Sequence, residues 1–356
     1  MKKFALLVIV VISLSAILSA CGAPATTAPV PTEAVQPAAT AVPATAVPPT
    51  AAPAAKAFRV AVIMPSTIND LAFAQSMYDA LLKVQTDMGG PDKMELVKSE
   101  NVFTADDAAA AMRDYATQGY QLIIAHGSQY GSAVQQTAPD FPNTSFAWGT
   151  TVDTFGMPNV FAYEAASQEG GYVNGVVAAN LSKSQVFGVI GPIETGDAKL
   201  YVDGFKAGVL ATKPAAKVNV VYTNSFSDTA LAAEAASTDI AAGADVLTGT
   251  AQMVVGAIGK AKESNVLWFG TQANQTSLAP SVVVASQVYH WEGALKQMID
   301  AIQAGTLGGK TFTMNLANGG EVIEFNPGFA LSADAKAAAD ATIKGISDGT
   351  IKITMP

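Results

Sequence analysis

The chain has 356 residues, a formal net charge of −9 and only 14% charged side chains, and it contains one cysteine, Cys21. A chain of this length can bury a large core and form more than one lobe. The acidic balance argues against a nucleic-acid partner, because such partners select basic surfaces. The single thiol excludes a framework of disulfides.

Residues 1–20 have the pattern of a secretory signal peptide. Two lysines precede an uncharged apolar run that ends in small residues, and the run is short for a membrane span. The sequence L-S-A-C-G at 18–22 has the lipobox pattern of bacterial lipoproteins, which predicts cleavage before Cys21 and a lipid on its thiol. Residues 21–56 are almost wholly Ala, Pro, Thr and Val, a composition typical of an extended tether. We therefore expect an extracytoplasmic protein that is anchored to the cell membrane by lipid.

From Arg59 onward, short β-branched runs alternate with segments of helical periodicity. The predicted strands are 59–64, 95–100, 121–127, 145–149, 159–164, 186–191, 218–223, 245–249, 266–270 and 282–289. The predicted helices are 70–85, 105–119, 132–141, 167–183, 198–212, 229–243, 253–264 and 291–305. This alternation predicts βαβ units and parallel sheets.

The strands are too numerous for one comfortable sheet, and the series restarts near Val186. We therefore predict two doubly wound α/β lobes joined by a strand hinge, with a (β/α)8 barrel as the alternative that the pattern leaves open. The predicted lobes are 57–161 plus 287–323 and 162–286 plus 324–356. Two lobes imply a cleft that closes on a ligand by hinge motion.

Side chains that could catalyse a reaction are scarce. Histidine occurs only at positions 126 and 290, no spacing fits a zinc or iron site, and Ser128 lacks the G-x-S-x-G frame. The segment 191–196 has the G-x4-G spacing of a P-loop, but Asp197 and Ala198 replace the Lys and Ser/Thr that hold phosphate and magnesium. This loop would repel an anion, and we interpret it as a strand-to-helix turn. The sequence predicts no enzyme, metal or cofactor.

Aromatic and polar side chains instead follow the predicted strands, at the edge of an open α/β sheet where ligands bind. The candidate ligand-binding residues are Asp70, Phe73, Gln129, Tyr130, Trp148, Phe226, Gln272 and Asn274. Flat rings surrounded by amides suit a flat heteroaromatic ligand that has hydrogen-bond donors and acceptors on its edge.

Several stretches, in this order and spacing, resemble the basic membrane protein (PnrA-like) family. They are NDLAFAQSMYDAL (69–81), YQLIIAHGSQYGSAVQQTAPDFPNTSFAWG (120–149), NVFAYEAASQEGGYVNGVVAANLSK (159–183), VDGFKAG (202–208), SFSD (225–228) and FGTQANQTSLAP (269–280). The family consists of substrate-binding lipoproteins of ABC importers, which commonly take purine nucleosides and have the type I periplasmic-binding-protein fold. The resemblance implies a nucleoside-like small-molecule ligand, an ABC permease as partner and membrane attachment through the N-terminal lipid. We expect a monomer.

In that family two aromatic rings sandwich the purine, and the resemblance places them at Phe73 and Phe226. The polar positions around them depart from the family. Ala74 replaces an asparagine, and Thr150, Gln272 and Asn274 replace aspartates. We therefore predict a purine nucleoside or a related flat heteroaromatic as the ligand, and the hypothesis that the departures suggest is a heterocycle other than an ordinary ribonucleoside, such as a free base, a modified nucleoside or a flavin-like ring. A sugar-binding protein of the same fold and an extracellular ligand sensor are the alternatives.

Overall fold

The computed structural model describes residues 56–355. The predicted signal peptide, the predicted lipidation site Cys21 and the predicted tether up to residue 55 lie outside the described residues. Between residues 56 and 355, no helix combines the length and the apolar character that crossing a membrane requires.

Two six-stranded sheets form the framework. The first has the order β11-β5-β4-β3-β1-β2 and is parallel throughout. Its strands are β1 Phe58–Ile63, β2 Met94–Ser99, β3 Leu122–His126, β4 Ser145–Gly149, β5 Val160–Ala165 and β11 Thr311–Met314. Its long strands are almost continuously buried because helices cover both faces.

The second sheet repeats this design in the order β12-β10-β9-β8-β6-β7, and only its edge strand β12 is antiparallel. Its strands are β6 Val186–Gly191, β7 Lys217–Tyr222, β8 Val246–Gly249, β9 Leu267–Gly270, β10 Val283–Tyr289 and β12 Glu321–Phe325. Two separate open sheets exclude the barrel alternative and confirm the prediction of two doubly wound lobes.

The described chain has nine α-helices, eight between strands and the last after β12. They are α1 Phe73–Asp87, α2 Ala105–Thr117, α3 Gly131–Thr137, α4 Gln168–Leu181, α5 Gly196–Thr212, α6 Thr229–Ala241, α7 Val254–Ser264, α8 Glu292–Gln303 and α9 Ala333–Ser347. Each sheet has a hydrophobic cluster on either face, so each lobe has its own core.

Helices α4 and α5 lie unusually close together because glycines face each other across their contact. A Cβ at Gly171 would lie 2.5 Å from the carbonyl oxygen of Tyr201, and one at Gly175 would fall within 3.0 Å of the backbone of Phe205 and Val209. Real Cβ atoms do not approach backbone this closely. The contact therefore requires glycine and fixes the position of α5, which begins beside the cleft.

The chain crosses between the sheets three times, from β5 to α4, from β10 to α8 and from β11 to β12. Strand β5 extends to Ala165 and β10 to Tyr289, past the predicted lobe ends at 161 and 286, whereas β12 begins at Glu321, ahead of the predicted 324. Strands β11 and β12 and helix α9 lie beyond the last predicted element.

Candidate functional site

A narrow cavity lies between the lobes, at the carboxyl ends of β1, β3 and β6–β9. Its lining residues are Pro65, Phe73, Gly127, Ser128, Gln129, Asp197, Ala198, Phe226, Ala251, Gln252 and Gln272. In the first sheet β1 lies between β2 and β3, and in the second sheet β6 lies between β7 and β8. The order of the strands thus changes direction at β1 and at β6, and open α/β sheets bind ligands at such switch points. The cavity volume is about 20 Å³, space for roughly one water molecule. The cavity in this form is thus too small to hold a planar ring.

Phe73 is the aromatic wall of the first lobe, and its position is strongly fixed. It is the first residue of α1, whose free N–H groups are satisfied by Asp70: one carboxylate oxygen accepts from Ala72 at 2.9 Å and the other from Ala74 at 3.1 Å. His126 stacks on the ring with centroids 3.7 Å apart and planes 11° apart. One face of Phe73 is thus occupied by the protein itself.

His126 acts as a structural support for this ring. Its Nε2 donates to the carbonyl oxygen of Phe73 at 3.1 Å, and its Nδ1 accepts from the Tyr163 hydroxyl at 2.8 Å. Complete burial lowers the pKa of His126 to about 3. The ring is therefore neutral and makes both hydrogen bonds in a single tautomer.

Phe226 is the aromatic wall of the second lobe, and it is half-buried. It lies in the loop between β7 and α6, where its carbonyl oxygen accepts from Met253 N at 3.0 Å. Asp228 caps the following helix by accepting from Ala230 N at 2.9 Å. Phe73 and Phe226 thus reach the same cavity from opposite lobes.

Asp197, at the start of α5, is the charged group of the cavity, and it is 7% exposed. Its Oδ1 accepts from the Thr150 hydroxyl at 2.9 Å, and its Oδ2 accepts from the Tyr289 hydroxyl at 3.0 Å and from Gln272 Nε2 at 3.4 Å. Burial raises the pKa of Asp197, although these three hydrogen bonds oppose the rise. The sequence signal for this residue was its place after strand β6.

Two amides in the lining have polar atoms left over. Among the side chains of residues 56–355, Gln272 Oε1 and Gln252 Nε2 are buried and have no hydrogen-bond partner in the protein. Gln272 and its neighbour in the cavity, Ala251, also have positive φ, 72° and 74°. Left-handed backbone at non-glycine residues is costly and concentrates at binding sites. These two atoms are thus an acceptor and a donor that the protein itself leaves without a partner.

The structure does not bring every candidate residue to the cavity. Tyr130 is fully buried in the first lobe and its hydroxyl donates to the Val102 carbonyl oxygen. Trp148 stacks on Phe155 with centroids 4.7 Å apart. Asn274 lies on the exposed side of its loop, where its amide donates to Glu324 at 2.6 Å. These three residues and the helix cap Asp70 are absent from the lining, whereas Phe73, Gln129, Phe226 and Gln272 belong to it.

Larger grooves of about 500 and 350 Å³ lie on the surface beside Lys83, His290 and Glu292. Neither is lined by Phe73 or Phe226. The second of them shares Gln272 with the cavity, so this side chain separates the cleft from the outer groove. Both grooves therefore lack the paired rings of the cavity.

A chain of polar contacts connects the cavity to the crossing segments. The Tyr289 hydroxyl, which donates to Asp197, also contacts the Ser167 hydroxyl at 2.7 Å. The Ser167 carbonyl oxygen accepts from Gln287 Nε2 at 3.3 Å. Tyr289 and Gln287 belong to β10 and Ser167 precedes α4, so two of the three crossings meet next to the cavity.

Glu321, on the third crossing, completes this arrangement. Its carboxylate is fully buried and accepts from Gly170 N at 2.7 Å and from the Gln287 side chain. Burial raises the pKa of Glu321 to about 8, with a contribution from nearby Glu169 and Asp197. A neutral carboxyl group therefore joins all three crossing segments at neutral pH.

A family model described as ABC transporter substrate-binding protein PnrA-like matches residues 57–354. The chain belongs to the PnrA-like family. It is 27% identical over 260 residues to a purine-binding protein of Brucella abortus, covering 73% of each chain. It is 27% identical over 311 residues to an ABC transporter nucleoside-binding protein of Lactococcus lactis, covering 81% of this chain and 86% of the relative.

Solved structures agree with this assignment at the level of the fold. An ABC transporter solute-binding protein from Conexibacter woesei superposes with a TM-score of 0.69 at 23% identity, covering 84% of this chain and 99% of that one. An ABC transporter solute-binding protein from Aeropyrum pernix superposes with a TM-score of 0.71 at 19% identity, covering 84% of this chain and 94% of that one. The resemblance to the PnrA-like family and the type I periplasmic-binding-protein fold are thereby confirmed.

Membership of the PnrA-like family defines the general role of the chain. It is a substrate-binding protein of an ABC transporter, and such proteins work outside the cytoplasm, bind a small molecule and deliver it to a permease. Solute-binding proteins of this kind are typically not enzymes.

Proposed function

We propose that this PnrA-like protein binds a flat heteroaromatic compound of the purine class between Phe73 and Phe226. The observation that carries the proposal is that these two rings, one from each lobe, line a single cavity. Because His126 covers the far face of Phe73, only the near face of this ring is free for a ligand. Stacking on each ring contributes on the order of 0.5–1.5 kcal/mol beyond the burial of apolar area.

The polar lining fits a neutral heterocycle better than a sugar or an anion. Gln129, Gln252 and Gln272 provide amides, and Asp197 would repel a phosphate or carboxylate. Relatives named for purine and nucleoside binding support this ligand class. A flavin-like ring and a sugar are the other candidates for the same cleft.

The narrow cavity implies that binding is coupled to a hinge motion. The rings and amides enclose almost no free space, so a ligand enters an open form and is then enclosed when the lobes approach. We further propose that the protein works as a lipoprotein, with Cys21 as the attachment point and residues 21–56 as the tether between the membrane and the lobes. The support for this part is the L-S-A-C-G sequence.

Mass spectrometry of small molecules released from the purified, denatured protein tests the ligand class directly. Isothermal titration calorimetry with adenine, hypoxanthine, inosine, guanosine, riboflavin and ribose then ranks the candidates. We expect a purine compound to be released and to bind more tightly than riboflavin or ribose. Binding of ribose or riboflavin alone would refute the proposal.

A further inference from the structure

Asp197 is the only charged side chain among the residues that line the cavity, and its capacity to accept hydrogen bonds is largely used within the protein. Thr150 of the first lobe occupies Oδ1, while Tyr289 and Gln272 share Oδ2. A carboxylate has about four lone-pair positions, so three are filled before any ligand arrives.

Because most hydrogen-bonding positions of the Asp197 carboxylate are already filled, Asp197 has little left to offer a ligand that carries a ribose. Two adjacent hydroxyl groups bind best to a carboxylate, which accepts both hydrogen bonds strongly. The lining contains no second carboxylate, and its remaining polar side chains are Ser128 and three glutamines. A nucleoside would therefore bury its sugar hydroxyls without a strong acceptor, at a cost in affinity.

Asp197 also sets the orientation of Gln272. Because a carboxylate only accepts, the Gln272 amide must direct its Nε2 toward Asp197, and its Oε1 is left as the unpartnered acceptor. Gln252 Nε2 is the unpartnered donor of the same cavity. An acceptor and a donor together complement the edge of a neutral nitrogen heterocycle, which carries an N–H group beside a ring nitrogen or a carbonyl.

We infer that Asp197 is a specificity-determining residue that makes the site select the free purine-type base over its nucleoside. It does so by holding Gln272 as an acceptor for the base and by leaving only one lone-pair position of its carboxylate for the two adjacent hydroxyls of a sugar. The inference rests on the proposed purine site and narrows it to one substrate class.

Titration calorimetry with the purified wild-type protein separates this inference from the proposed function. Adenine and hypoxanthine should bind about tenfold or more tightly than adenosine and inosine. Nucleosides that bind as tightly as the bases would overturn the inference while the purine site stands. Failure of all four compounds to bind would refute the proposed function itself.

The variant Asp197→Asn tests the role of the carboxylate. Its amide N–H₂ needs an acceptor, so Gln272 turns its Oε1 away from the ligand, and the affinity for the base should fall about tenfold or more. The matched control is Asp239→Asn, since Asp239 is also a buried aspartate of the second lobe but pairs with Asn219 away from the cavity. Unchanged base affinity in Asp197→Asn, or an equal loss in the control, would contradict the inference.

The variant Thr150→Val supplies a second test, in which Asp197 keeps its charge. This test can be carried out even if Asp197→Asn does not fold. Losing the hydroxyl leaves both lone pairs of Oδ1 free, so that two adjacent sugar hydroxyls can then donate to this oxygen. The ratio of base affinity to nucleoside affinity should fall about threefold or more, a change that general loosening of the fold would not produce. A ratio equal to that of the wild type would overturn the inference.

Discussion

Replacing Phe226 by alanine should weaken ligand binding far more than it destabilises the fold. The ring is half-buried and extends from a loop into the cleft, while the backbone of that loop is held by the hydrogen bond from Met253 N and by the Asp228 cap. Removing the ring leaves these contacts in place. The loss falls on the stacked ligand, because the ring forms one of the two walls.

The expected size of each effect follows from burial. A stacked ring contributes about 0.5–1.5 kcal/mol beyond apolar burial, and covering one ring face adds on the order of 1 kcal/mol. We therefore expect a loss of about 2 kcal/mol in binding, roughly a 30-fold rise in Kd. Fully buried Phe→Ala changes cost about 3–5 kcal/mol of stability, so a half-exposed ring should cost about 1 kcal/mol or less.

Calorimetry with the purine ligand and urea unfolding of the ligand-free protein measure the two quantities. Phe103→Ala is the matched control, because Phe103 is 58% exposed and lies outside the cavity lining. It should change neither value appreciably. Phe73→Ala should lower both, since Phe73 is 8% exposed and stacks on His126. If Phe226→Ala lost as much stability as Phe73→Ala while affinity stayed unchanged, Phe226 would be a core residue and the two-ring site would be refuted.

Three further predictions concern the packing, the hinge and the anchor. Gly175→Ala should destabilise the protein by about 1–3 kcal/mol, because its methyl group would collide with the backbone of Phe205. The control Gly259→Ala, on α7, has open space around the new methyl group and should stabilise the protein by up to about 1 kcal/mol. Urea unfolding measures both changes. Glu321→Gln should flatten the pH dependence of unfolding. Burial raises the pKa of Glu321 in the folded protein from its ordinary 4.5 to about 8. The free energy of unfolding of the wild type should therefore fall, relative to that of the variant, by about 1.4 kcal/mol for each pH unit between pH 4.5 and 8. Parallel curves of unfolding free energy against pH for the two proteins would contradict this. Cys21→Ser should abolish labelling by radioactive fatty acid and release the protein from membranes, and retained label would disprove lipidation at that residue.

The two-lobe architecture was predictable because hydrophobic periodicity is a local property. Runs such as 121–127 are short, apolar and bounded by turns, and each became a strand of a parallel sheet close to its predicted limits. The restart near Val186 coincides with β6, the first strand of the second sheet in chain order. Strands β11 and β12 carry weaker patterns, since most of their residues are only partly buried, and their pairing depends on strands far away in sequence.

The candidate site was only partly predictable because side-chain direction is not a local property. Gln129 and Tyr130 are neighbours in one 3-10 turn, yet the first lines the cavity and the second enters the core of its lobe. Gln272 and Asn274 lie in one loop, yet Gln272 lines the cavity and Asn274 is exposed and donates to Glu324. The left-handed backbone of Gln272 changes the direction of this loop. A position after a strand thus indicates the region of the site, and tertiary packing decides which side chains reach it.

Two of the polar departures from the family, those at positions 150 and 272, have a common physical explanation once Asp197 is included. The resemblance assigns aspartates to the positions of Thr150 and Gln272, and in this protein both side chains donate to the carboxylate of Asp197. An aspartate at either position would put a second ionised carboxylate beside the first in a buried site, which is strongly unfavourable. The Thr150 hydroxyl and the Gln272 amide instead donate hydrogen bonds to Asp197, and the bond from Thr150 connects the two lobes. The substitutions at 150 and 272 are therefore coupled through residue 197, and restoring either aspartate alone should not restore the binding of a nucleoside.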